Sequence, residues 1–175
     1  MKLHLGCGKR NFGDDWIHID QSEFSHVVHQ DVTNLPFGDG SCDLIYASHL
    51  LEYFDGEEVL EVLYEWNRVL RPGGVLRIAV PDFEAISTLY NSRKNLDLFL
   101  GPLYGKMGDP SFYHRMAYDY RSLKRLLESA EFSNIKRYNW RRTEHSHFDD
   151  HSQAYIPHMD KENGVLISLN VEANK

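Results

Sequence analysis

Short apolar runs alternate along this chain with longer stretches in which apolar residues return every three or four positions. That alternation predicts an α/β domain, a mostly parallel sheet wound doubly with helices on both faces. The runs place strands at Lys2–Leu5, Trp16–Ile19, Val27–His29, Leu44–Ala47, Val75–Val80, Ile135–Trp140 and Leu166–Val171. Val59, Leu60, Leu63, Trp66 and Leu70 recur at helical spacing, and Glu57 and Glu58 suit the positive end of that helix dipole. Pro72-Gly73-Gly74 then forces a turn. A second helix is predicted over Arg121–Glu131, with Leu123, Leu126, Leu127 and Ala130 inward, and a third near Glu84–Tyr90. Gly101, Pro102, Gly105, Gly108 and Pro110 break the pattern, which predicts an irregular excursion over the sheet's carboxyl edge. The stretch Arg141–Gly164 is also unpatterned and too long for a hairpin turn.

Length and composition narrow the class. With 175 residues, 42% hydrophobic and 26% charged, the chain fits one globular domain with a sizeable core. The formal charge of −7 argues against a long nucleic acid as partner, since that binding draws on clustered Lys and Arg. No apolar run is long enough to span a bilayer and no signal-peptide core precedes the first strand, so no membrane association is expected and the expected location is cytoplasmic. Cys7 and Cys42 both lie in apolar stretches and read as reduced, buried thiols, and two cysteines alone cannot complete a zinc shell.

The chemistry concentrates at the ends of the first strands. Gly6-Cys7-Gly8 follows the first strand directly and lets backbone approach a ligand without an intervening Cβ. Asp20 ends the second strand, where a carboxylate can accept hydrogen bonds from both ribose hydroxyls of a nucleoside. Alone, such a pair reads first as a strand-ending turn glycine and a surface Asp. The order of further pieces adds weight: Asp31-Val32, Leu35-Pro36-Phe37, Asp39-Gly40-Ser41, the strand through Ala47-Ser48-His49, Arg68–Gly74, and Val80-Pro81-Asp82.

This set resembles the class I S-adenosylmethionine-dependent methyltransferases, in particular the small type 11 branch, strongly over Leu3–Asp82 and more weakly over Ser122–Phe132. The resemblance implies a single Rossmann-like domain, 1–175, with seven strands in order 3-2-1-4-5-7-6 and only the last antiparallel. It implies a cofactor-binding part over 1–82, an acceptor or lid part over 83–164 and a final strand over 165–172. It further implies S-adenosylmethionine held by Leu5, Gly6, Cys7 and Gly8 at the methionine end, Asp20 at the ribose, Asp31 and Val32 at the adenine, and Ala47 and Ser48 beneath the sulfonium. The acceptor is expected to be a small molecule or a glycan. Two departures stand out. The chain from Gly8 to Asp20 is too short for a full crossover helix, so Lys9–Asp15 should form a loop or single turn and expose one face of the cofactor. No helices precede the first strand, so cover must come from Phe83–Asp119, from Arg141–Gly164, or from a second copy in a homodimer.

Two other readings stay open: a nicotinamide-dependent Rossmann oxidoreductase, which would want Gly where Asn11 stands, and a methyltransferase-like domain that binds without turnover. Methyl transfer needs mainly alignment, and a base only where the acceptor must lose a proton. His49 is the first candidate, expected to face the acceptor, with capping or packing as its plain alternative; Asp82 and His114 follow. His145, His147, Asp149 and His151 would share one face if their segment were extended, which suits a divalent ion. A solvated loop is the plainer reading, and no metal requirement is expected. Tyr104, Tyr113, Tyr118 and Trp140 suit either an acceptor pocket or core.

Overall fold

The computed structural model describes residues 1–29 and 31–175. Its main sheet contains β1 (Lys2–Leu5), β2 (Trp16–Ile19), β3 (Val27–His29), β4 (Cys42–Ser48), β5 (Leu70–Pro81), β6 (Ser133–Arg137) and β9 (Ser168–Asn174), in the order β3-β2-β1-β4-β5-β9-β6. A small separate sheet pairs β7 (Tyr155–Ile156) with β8 (Val165–Leu166). With that hairpin set aside, the order is the expected 3-2-1-4-5-7-6, and β9 runs antiparallel to both of its neighbours. Helices α1 (Glu58–Val69), α2 (Phe83–Arg93), α3 (Leu100–Tyr104) and α4 (Tyr120–Ser129) complete the described fold.

Local chemistry explains where the helices begin. Asp55 accepts from the backbone N–H of Glu57 and of Glu58, both at 3.0 Å, and so caps the start of α1. Asp82 accepts from Glu84 N at 3.1 Å and Ala85 N at 3.3 Å at the start of α2. Asp119 and Ser122 exchange bonds at the start of α4, a reciprocal box that satisfies two orphan donors.

Three expected boundaries shift. Strand β5 begins already at Leu70, and the predicted turn is a bulge inside the β4–β5 pairing, between Leu70 opposite Cys42 and Val75 opposite Leu44. Gly74 is required there, because a Cβ would come within 2.8 Å of the Arg71 carbonyl oxygen. Strand β6 ends at Arg137 rather than Trp140, because Asn139 accepts from Arg141 N at 3.0 Å and winds Trp140–Arg142 into a 3-10 turn. The last strand starts at Ser168, not Leu166, because Val165 and Leu166 pair with the β7 segment.

The two faces of the sheet differ. Leu3, Leu5, Ile19, Ile45 and Ala47 point into the main aliphatic core, which also buries Leu63 and Trp66 of α1 and Leu123 and Leu127 of α4. At the alternate positions, Trp16, Leu44 and Tyr46 form a second cluster with Phe12, and the rings of His4 and His18 stand beside it. The crossover after β1 is a loop, as its length predicts, so this face lacks a covering helix there. Phe12 fills the space, stacked on His4 at 4.0 Å and on His145 at 4.8 Å, with Phe148 beside it. Among the described residues no helix is long and apolar enough to cross a membrane.

Candidate functional site

A cavity of about 990 Å³ opens at the carboxyl ends of β1, β2, β3 and β4, where open α/β sheets bind ligands. Gly6 and Gly8 form its floor with φ of 63° and 54°. A Cβ on Gly6 would press on Leu50 at 3.0 Å, whereas one on Gly8 would meet nothing within 4 Å and would project into open space. The turn is held from both sides: Gly6 N donates to Ile19 O at 2.8 Å, and Gly8 N donates to Asp20 Oδ2 at 2.7 Å. Asp20 is 9% exposed and its other oxygen accepts from Ser22 N at 2.8 Å, which fixes the carboxylate at the cavity edge.

The far end is built on Asp31, Val32 and Thr33. Asp31 accepts from the Thr33 hydroxyl at 2.6 Å and from its N–H at 2.7 Å, and the hydroxyl bond above all lowers the Asp31 pKa. Val32 is tied to the body of the domain by the Trp66 indole, which donates to its carbonyl at 2.8 Å. Ser48, at the end of β4, also lines the cavity, and its buried hydroxyl has no partner among the described residues. Leu5, Cys7 and Ala47 are fully buried and support the wall from behind rather than line it. Burial, then the Asp20 charge, pushes the Cys7 thiol up to about 12, so it carries no thiolate at neutral pH. Both cysteines are free and buried.

His49 leaves β4 with φ of 51°, a strained position for a residue other than glycine, which swings its ring into the cavity wall. Both ring nitrogens turn into the protein. Nε2 lies 3.1 Å from Ser168 Oγ, and Nδ1 lies 3.3 Å from Glu52 Oε1. Desolvation first, then the neighbouring His151, His114 and Arg10, lower the His49 pKa and keep the ring neutral. His114 does not line the cavity: its Nδ1 lies 3.1 Å from Pro102 O, and its Nε2 lies 3.9 Å from the same Glu52 oxygen. Asp82 is likewise elsewhere, capping α2 and accepting from Arg137 at 3.2 Å.

Several site residues escape a reading of the sequence. Glu52 is 0% exposed, neither of its carboxyl oxygens receives a hydrogen bond among the described residues, and desolvation pushes its pKa up to about 8. It stands three residues after His49 on a 3-10 turn, a spacing that brings the two side chains together, yet a lone Glu in sequence reads as exposed. Arg10, Tyr53, Phe112 and Arg115 line the cavity itself, as does His151, which the sequence offered only as a metal ligand. Ser111, Phe112 and Arg115 from the first long irregular stretch and His151 from the second all reach this cavity. His145, His147, Asp149 and His151 do not share a face. Turns close from Ser146 N to Thr143 O and from Phe148 N to His145 O, which buries His145 and leaves His147 exposed. Among the described residues no three His, Cys, Asp or Glu side chains gather as a metal site. Of the aromatic candidates, Tyr118 and Trp140 are buried, Tyr104 and Tyr113 are exposed, and none lines the cavity.

A family profile described as "Methyltransferase domain" matches residues 7–78. A demethylmenaquinone methyltransferase of Staphylococcus haemolyticus is 32% identical over 125 residues, which is 63% of this chain and 49% of that protein. A ubiquinone/menaquinone biosynthesis C-methyltransferase of Klebsiella pneumoniae is 35% identical over 114 residues, 60% of this chain and 44% of that protein. The chain thus spans about half the length of the curated relatives it matches. Among solved structures, a SAM-dependent methyltransferase from Archaeoglobus fulgidus superposes with a TM-score of 0.62 at 18% identity, covering 99% of this chain and 85% of that one. A Burkholderia thailandensis 1,6-didemethyltoxoflavin-N1-methyltransferase, solved with 1,6-didemethyltoxoflavin and S-adenosylhomocysteine, gives 0.60 at 15% identity, covering 99% and 70%.

Proposed function

We propose that this chain, a class I S-adenosylmethionine-dependent methyltransferase of the type 11 branch by fold and matched segment, moves a methyl group to a small-molecule acceptor. One observation carries the reading: Gly6, Gly8, Asp20, Asp31, Val32 and Ser48, scattered through the first third of the sequence, line a single cavity. Their chemistry fits the cofactor. The glycine turn leaves room for the methionine end, the Asp20 carboxylate suits two ribose hydroxyls, and the unpartnered Ser48 hydroxyl stands at the end of β4. The bound cofactor supplies the electrophilic methyl group, and the chain's own contribution is alignment and exclusion of water. A small-molecule acceptor fits the partly covered cavity and accords with the quinone-pathway names of the relatives, and nothing in the site favours a glycan.

Calorimetry with S-adenosylmethionine, S-adenosylhomocysteine, NAD and NADP tests the reading. The first two should bind and the last two should not, because Asp20 repels a 2′-phosphate and the glycine turn lacks the third glycine of a dinucleotide fingerprint at Asn11. Asp20→Ala should weaken S-adenosylhomocysteine about 10-fold to 100-fold, or roughly 1.5–3 kcal/mol, as it loses ribose contacts and the bond that holds Gly8. Unchanged affinity in a folded Asp20→Ala protein would remove Asp20 from the site.

A further inference from the structure

Arg10 and His151 are two polar side chains of the cavity that the cofactor contacts assigned above do not use. Arg10 sits just past the glycine turn, and its Nε donates to Asp149 O at 2.8 Å, tying the first crossover to the loop that carries His151. Among the described residues no carboxylate pairs with its guanidinium, whereas Arg115, the cavity's other guanidinium, is engaged by Glu58 at 3.0 Å. The His151 ring lies 5.2 Å from that of His49. The two imidazoles differ: His49 is mostly buried with protein neighbours at both nitrogens, whereas His151 is exposed and among the described residues nothing hydrogen-bonds its ring.

We propose that Arg10 and His151 form the acceptor end of the cavity, and that the acceptor is a flat ring bearing an acidic hydroxyl, such as a phenol, which yields its proton to His151 while Arg10 holds the oxyanion. This rests on the cofactor reading above. Tyr53, Phe54 and Phe112 line the same cavity and offer apolar, aromatic surface to a ring. An unpaired guanidinium repels an ammonium-bearing acceptor and favours a group whose negative charge grows in the transition state. The charged and titratable groups acting on His151 are Arg10, His49, His114, Asp149, Asp150 and His158. Desolvation, then the Arg10 charge, lowers its pKa and leaves the ring neutral and able to accept a proton near pH 7. In the transfer, the acceptor oxygen's electron pair forms the new bond to the methyl carbon. The methyl–sulfur bond breaks with its pair left on sulfur, and the hydroxyl proton ends on a ring nitrogen of His151.

The test uses 4-nitrophenol, whose coloured phenolate reports its own ionisation, with protein saturated by S-adenosylhomocysteine. The wild-type protein should favour the phenolate about tenfold over free solution, a shift of about one pKa unit. Arg10→Gln and His151→Gln should each abolish the shift and retain S-adenosylhomocysteine affinity, and His145→Phe, in the aromatic cluster that does not reach the cavity, should leave the shift in place. The proposal is overturned if the wild-type protein produces no shift, or if the shift survives in His151→Gln. It is equally overturned if Arg10→Gln loses S-adenosylhomocysteine but keeps adenosine, which would assign Arg10 to the cofactor's carboxylate. Failure of the wild-type protein to bind S-adenosylhomocysteine strikes the cofactor reading itself, so the two failures are distinct.

Discussion

Two buried carboxyl groups in this molecule have opposite surroundings. Asp150, 5% exposed, accepts from the Tyr46 hydroxyl, from Ser152 N at 2.9 Å and from the Ser152 hydroxyl. Glu52, 0% exposed, receives no hydrogen bond at either oxygen among the described residues and has two imidazoles and the Tyr118 hydroxyl, likewise without a partner there, for company. Asp150 closes the aromatic cluster on the face that a loop rather than a helix covers after β1, while Glu52 lies behind the wall of the cavity. A satisfied buried carboxylate holds structure together. An unsatisfied one keeps its proton and makes the protonation of its neighbours depend on pH.

The largest expected effect is at the satisfied site. Asp150→Ala strands the buried Tyr46 hydroxyl and removes the cap of the 3-10 turn His151–Gln153, two losses with one cause. Breaking such a network should cost roughly 3 kcal/mol or more of unfolding free energy, read by urea denaturation. Asp150→Asn, which keeps an acceptor, should cost less. Equal midpoints for Asp150→Ala and the wild-type protein would show that the network holds nothing.

Glu52 should show its effect as a slope with pH. Its folded pKa is raised from 4.5 to about 8, so the folded protein binds the proton more tightly than the unfolded chain does. The associated stability is whole below about pH 4.5 and is lost as pH climbs toward 8, by roughly 3–5 kcal/mol at most. Glu52→Gln keeps the shape and abolishes the titration. It should therefore match the wild-type protein near pH 5 within about 1 kcal/mol and exceed it progressively toward pH 8. His49 and His114, held neutral by burial, add an acid-side loss that both proteins share. A thermal-shift difference that does not vary with pH would rule out a protonated Glu52.

The contrast also marks how far the sequence was legible. Strands β1 and β2 end where their apolar runs end, because short buried parallel strands are bounded sharply by glycine and polar residues, and β3 also keeps its expected range although Val28 is exposed. Gly6, Gly8 and Asp20 stand out at such boundaries, whereas Asp31, Val32 and Ser48 were offered by the family resemblance; all six line the cavity. The edge strand β6 is mostly exposed, its polar sequence carries little periodicity, and its end was misjudged by three residues. Glu52 was illegible because its burial depends on a distant segment, whose Arg115 and Met116 N–H groups donate to the Glu52 carbonyl. The histidines after Arg142 were visible as a group, but turns in that segment, not spacing, decide that His151 reaches the cavity and His145 does not.

The smallest effect at neutral pH is expected at His145. Its ring stacks on Phe12 at 4.8 Å with 10° between planes, while Nδ1 is buried without a partner among the described residues. A phenyl ring keeps the stacking and removes an unsatisfied polar atom, so His145→Phe should alter stability at pH 7 by no more than about 1 kcal/mol. Its pH dependence runs opposite to that of Glu52. Desolvation lowers the His145 pKa from 6.5 to about 4, so the unfolded chain takes up a proton that the folded one refuses. The stability this residue supports is whole above about pH 6.5 and is lost as pH falls toward 4, by about 3 kcal/mol at most. His145→Phe should flatten that acid limb and leave S-adenosylhomocysteine affinity unchanged, because the cluster it belongs to does not reach the cavity. Denaturant titrations at pH 7 and pH 5 decide the matter: if the variant falls in parallel with the wild-type protein, His145 does not set the acid limit, and if cofactor affinity drops, the aromatic cluster and the cavity are one site.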